Sequence, residues 1–136
     1  GIRDVERSRG LGDVYKRQVS YQQREAMNQT SIHLPYGEDE MPKAGLEGEP
    51  SRLVKPLRVK GAPIHLECKY MQSVQMPCWR EGKENWVIFG EVVGIHVDPK
   101  IVKDGFVDVT IYKPVSRLGY MEYSATDEVF QMDRPD

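Results

Sequence analysis

Two cysteines, Cys68 and Cys78, are too few and too oddly placed for a disulfide framework or a zinc site. No apolar run approaches the length of a membrane-spanning helix, which excludes a helical anchor within this sequence. Basic residues form no cluster, and 19 Lys and Arg are outnumbered by 21 Asp and Glu, so a nucleic-acid backbone meets no facing positive surface. A glycine-rich phosphate loop, a GxSxG elbow and a dinucleotide-binding fingerprint are all missing, and His33 and His65 have no neighbours at metal-ligand spacing. Nothing repeats internally. What remains is one domain or part of one, with free thiols and a cytoplasmic location as the expectation.

Residues 1–18 read GIRDVERSRGLGDVYKRQ. Back-translated, Asp13 to Gln18 resembles the transposon end used to fragment DNA for sequencing. Ser8 to Gly12 resembles the primer joined to that end, and Gly1 to Asp4 the outer adapter, all in order and in one frame. Residues 1–18 are therefore read as non-native and disordered, in preference to a basic arm, and residues 19–136 as the natural chain. Without the five basic and three acidic residues of that segment, 14 basic and 18 acidic residues remain, a net charge of −4. An adapter fused in frame implies a read fragment, so the natural N-terminus is expected to be missing.

Tyr21 to Asn28 contains neither Gly nor Pro and reads as the end of a helix. From His33 to Pro63 the chain turns loop-like, and a connection this long reads as a lid or binding loop. A short helix around Glu38 to Gly45 fits inside it, with Glu38, Asp39 and Glu40 as a solvated N-terminus and glycine last. The period then changes to two. Ile64, Leu66, Cys68 and Tyr70 alternate with His65, Glu67, Lys69 and Met71, predicting a half-buried strand to about Met76 with His65 on its solvated face. After turn chemistry from Pro77 to Asn85, Trp86 to Val97 is apolar on both faces, as for a central or barrel-wrapped strand. Val107 to Tyr112 fits a third strand or a short helix, and Leu118 to Met132 one or two further short strands. Successive strands with few helices favour a β-barrel class.

One face of the Trp86–Val97 strand carries Gly90, Gly94 and His96. Glycines inside a strand mark close approach by a ligand or by another backbone. One reading lays a flat ligand over the glycines with His96 at its rim; the other bends a barrel strand there and satisfies the histidine at its end. Arg117, Tyr120 and Tyr123 cluster in RLGYMEY, a composition that suits phosphates, carboxylates and planar ligands, and equally an interface.

The segments AMNQTS, PYGEDEMPKAGL, APIHLECKY, NWVIFGEVVGIHV, KDGFVDV and RLGYMEYSATDEVFQMDRP, in that order, resemble the C-terminal part of the flavin reductase-like proteins in their longer subfamily, from Val19 to Pro135. The resemblance implies a mainly β fold: a partial antiparallel split β-barrel of the FMN-binding type, with a long-loop and short-helix lid from Tyr36 to Leu46. It implies FMN as cofactor, NADH or NADPH as co-substrate, and a homodimer. His96 would be the catalytic residue, facing flavin and nicotinamide, with Gly94 beside it under the cofactor. Arg117, Gly119, Tyr120 and Tyr123 would belong to the segment closing over the flavin, and Asn28, Thr30 and Ser31 to a segment beside it. The family often has a glycine where Tyr120 stands. Its N-terminal half, with the first barrel strands and most contacts to the FMN phosphate, has no counterpart before Val19, so open strand edges, a half-exposed core and an inactive fragment are expected. A non-catalytic FMN-binding electron carrier and a cofactor-free oligomeric barrel are the competing readings.

Overall fold

The computed structural model describes residues 13–35 and 37–135. The described residues divide into two units, one formed by residues 13–17, 48–60 and 64–96 and the other by residues 18–35, 37–47, 61–63 and 97–135.

The first unit is built on strands. β1 (Asp13–Arg17), β4 (Ile64–Met76) and β5 (Asn85–Val97) make a sheet in the order β1-β4-β5, and β2 (Gly48–Glu49) pairs antiparallel with β3 (Arg58–Val59). β1 runs antiparallel to β4, from Asp13 opposite Lys69 to Arg17 opposite His65. That pairing corrects the expectation of disorder for residues 13–17. The edge of β4 offers unpaired amide and carbonyl groups, and an extended segment satisfies them through its backbone whatever its side chains. Gln18 is likewise placed, its Nε2 donating to the Val115 carbonyl at 3.5 Å. Residues 1–12, which complete that expectation, and Tyr36, the first residue of the expected lid, lie outside the described residues.

The alternation of β4 locates the strand correctly but misassigns its solvated face. His65 and Glu67 are buried, with Glu67 at 0% exposure, whereas Ile64, Leu66 and Tyr70 are only half-buried. Polar groups tolerate burial where partners wait for them, and here residues 52, 53 and 59 supply the partners. β5 is a second correction. It is a terminal strand of its sheet rather than a central one, and Val87, Phe89, Val92 and Ile95 are 41% to 65% exposed. No further strand among the described residues covers it. The buried apolar side chains among the described residues are Val54, Val59, Ala62, Cys68 and Ile101.

The second unit opens with a 3-10 turn (Tyr21–Gln23) running into α1 (Arg24–Gln29). α2 (Glu40–Lys43) starts where the Asp39 carboxylate accepts the Met41 amide at 3.0 Å. It stops at Gly45 (φ +69°), where the amides of Gly45 and Leu46 return to the carbonyls of Pro42 and Met41. β6 (Val102–Lys103) and β7 (Phe106–Val107) are joined through Asp104 and Gly105, both at positive φ, the Asp-Gly chemistry of a tight hairpin. Residues 109–112 form a helix, α3 (Val109–Tyr112), because Asp108 caps the Thr110 amide at 2.9 Å. β8 (Val115–Arg117) and β9 (Tyr123–Ala125) pair antiparallel, and no strand follows Ala125 among the described residues. The amides of Tyr21 and Val115 bond the carbonyls of Lys113 and Val19, each at 2.9 Å, which ties the start of α1 to the β8–β9 hairpin.

Candidate functional site

That tie opens a cleft of about 530 Å³ in the second unit, between α1 and the β8–β9 hairpin. Asn28, Arg117 and Tyr123 line it, joined by Tyr21, Arg24 and Glu25. The Arg117 guanidinium donates to the Tyr123 phenol oxygen and to the Tyr120 carbonyl, each at 2.8 Å. Arg24 lies 3.9 Å over the centre of the Tyr21 ring and donates to the Tyr21 carbonyl at 2.8 Å. The cleft thus holds two guanidinium–phenol pairs, one carboxamide and one carboxylate. A guanidinium held over or beside an aromatic ring keeps its plane fixed while offering donors, which suits a flat ligand with carbonyl or anionic edges.

The other residues implied for the flavin do not line this cleft. The Thr30 and Ser31 hydroxyls are spent on the last helical carbonyls, of Met27 and Asn28, each at 2.7 Å. Gly119 accepts the Glu122 amide in the hairpin turn. Tyr120 is 95% exposed at φ 55°, the left-handed region that glycine occupies without strain. Arg24 and Tyr21 escaped the sequence reading, although a three-residue spacing on a helix is the signal that pairs them.

Gly94 and His96 belong to the first unit, where they meet a residue that sequence reasoning missed. The Glu67 carboxylate accepts the Arg52 amide at 2.9 Å on Oε1, which also lies 2.5 Å from His96 Nε2, and the Leu53 amide at 2.6 Å on Oε2. Burial works against that negative charge. The amides of Arg52 and Leu53, and after them the His96 ring, outweigh it and hold the carboxyl at about 2, against an ordinary 4.5. His65 bonds the Val59 carbonyl at 2.9 Å, and burial keeps its ring below the ordinary 6.5 despite that bond. The two histidine rings meet edge to face, 6.4 Å apart.

The glycines of β5 make room for this arrangement. A Cβ on Gly94 would stand 3.0 Å from Leu53 Cδ1 and 3.6 Å from Glu67 Cβ, and one on Gly90 3.2 Å from Cys68 Cβ. At both positions atoms of the same unit, Leu53 Cδ1 at one and Cys68 Cβ with the Lys69 carbonyl at the other, already lie where a side chain would begin. Among the described residues, no group of three or more His, Cys, Asp and Glu could hold a metal ion, and no helix is long and apolar enough to cross a membrane.

A family model described as "Flavin reductase like domain" matches residues 17–115, more than half of the chain. An uncharacterized protein of Halalkalibacterium halodurans is 36% identical over 127 residues, covering 92% of this chain and 60% of that protein. The structure of nitrilotriacetate monooxygenase component B from Bacillus cereus superposes with a TM-score of 0.86 at 25% identity, over 95% of this chain and 64% of that one. A Shewanella frigidimarina protein assigned as a flavin reductase with a split barrel domain gives 0.74 at 26% identity, over 91% and 61%. The chain spans less than two thirds of the length of each. The mainly stranded fold is thus that of the split-barrel proteins.

Proposed function

The chain belongs to the flavin reductase-like family, and on that premise we propose that it is the FMN-binding part of an oxidoreductase that draws its electrons from NADH or NADPH. The observation that carries this reading is the cleft that gathers Asn28, Arg117 and Tyr123, three residues implied for the flavin from two separate stretches of chain. Its contents fit the group. Phenol rings offer faces for a flat heterocycle, guanidiniums offer donors to carbonyl or phosphate oxygens, and Asn28 offers both donor and acceptor. FMN bound there would supply a ring that accepts a hydride; the chain's own residues would hold and orient it. His96 is proposed to orient the nicotinamide or to hydrogen-bond the flavin. A homodimer and a cytoplasmic location are part of the same proposal.

FMN titration followed by fluorescence quenching tests the binding, with Arg117→Ala as the matched control. Saturable quenching in the native chain that weakens in the variant supports the reading; no uptake by either sinks it. Oxidation of NADH or NADPH by the FMN-loaded protein then separates a reductase from an electron carrier, which would bind FMN and leave both nucleotides untouched.

A further inference from the structure

We propose that Glu67 is the positioning residue for His96, fixing its imidazole as the Nε2–H tautomer so that Nδ1 is the nitrogen left to accept a hydrogen bond from a ligand N–H. This rests on the reading of His96 as a residue that meets nicotinamide or flavin. The geometry carries it. An ionised carboxylate can only accept, so the His96 nitrogen 2.5 Å from Oε1 must bear the proton. Reversing the bond would require Glu67 to be protonated, but its two oxygens also take the amides of Arg52 and Leu53, donors that cannot turn away. The carboxylate is fully buried, so no water competes for it. His96 is itself partly accessible, its side chain 17% exposed.

The consequence concerns what His96 recognises. While it is neutral, a ring tied in this way offers no N–H to a carbonyl or phosphate oxygen. It offers a lone pair, and the ligand chemistry that matches is an amide or imide N–H, such as a carboxamide on an aromatic ring. A ligand carboxylate in the same place would face that lone pair and be disfavoured.

Nitrogen-15 correlation spectra of the histidine rings, recorded at a pH high enough for neutral rings, test the assignment on the chain without any flavin. The native protein is expected to show His96 as the Nε2–H tautomer, and Glu67→Leu, which removes the acceptor, to shift it towards a mixture of tautomers. A native Nδ1–H tautomer overturns the proposal, as does an unchanged His96 spectrum in a folded Glu67→Leu variant, which has no acceptor. If that variant does not fold, the native tautomer alone decides. The readout does not depend on flavin, so loss of FMN uptake would remove the proposed function while leaving the tautomer result to stand or fall by itself.

Discussion

Arg117 and Tyr123 face each other across β8 and β9, and the guanidinium donates to the phenol oxygen at 2.8 Å. A second donation, to the Tyr120 carbonyl at 2.8 Å, fixes the guanidinium plane from the other side of the turn. The pair is therefore pre-oriented at the cleft, and its side-chain entropy is already spent before any ligand arrives.

If the cleft holds FMN, Arg117→Ala weakens binding by about tenfold, roughly 1.4 kcal/mol, the scale of a hydrogen bond to a charged group. Tyr123→Phe removes only the acceptor that orients Arg117 and weakens binding by about threefold. Fluorescence titration measures both. Equal affinity in all three proteins would place the flavin elsewhere.

Acid is expected to destabilise the first unit in two steps. The His65 ring sits below its ordinary 6.5, so on acidification the unfolded chain takes up that proton first. Its stabilising contribution is complete above 6.5 and declines as the pH falls below it. Glu67, at about 2 against an ordinary 4.5, contributes fully above 4.5 and loses that contribution between 4.5 and about 2. His65→Gln keeps a donor for the Val59 carbonyl but does not titrate. Urea midpoints measured from pH 8 to 3 should lose the upper step in this variant and keep the lower one. Identical profiles for the two proteins would contradict the assignment.

Gly94→Ala brings a methyl group within 3.0 Å of Leu53 Cδ1, the end of a flexible and mostly exposed side chain. The cost is about 1 kcal/mol of stability, with most of it recovered in the Leu53→Ala background. Flavin affinity should not change. Abolished FMN uptake with intact stability would instead mean that a ligand, and not packing, needs the glycine.

Tyr120→Gly relieves a left-handed residue at φ 55°. The relief of ~1 kcal/mol or more outweighs the added chain entropy of glycine, for a net gain of about 0.5 kcal/mol. Tyr120→Ala keeps the backbone strain and should show no gain. Denaturation midpoints of the three proteins decide, and an equal gain from both substitutions would point to the exposed ring rather than the backbone.

Local signals in the chain were enough to place the elements. Alternation set β4 at Ile64–Met76, Asp39 and Gly45 bracketed α2, and the glycine-free stretch from Tyr21 became the entry to α1. Each is written within a few neighbouring residues, where backbone hydrogen bonds and rotamers respond to nearby sequence. The family was legible for a related reason: several short segments kept their order over the chain.

What the tertiary structure alone decided is which face of each strand is hidden and which residues meet. Periodicity reports that two faces of β4 differ, but not that amides 14 and 15 residues upstream would return to bury Glu67. The same holds for β5, whose apolar residues look central until the sheet order leaves it at an edge. Residues 13–17 entered the sheet because strand pairing is a backbone interaction, to which side-chain identity is a weak guide. The cleft likewise exists only because the carbonyls of Lys113 and Val19 draw α1 against the last hairpin. These are long-range pairings between backbone groups common to every residue, so sequence carries little trace of them and packing has to choose.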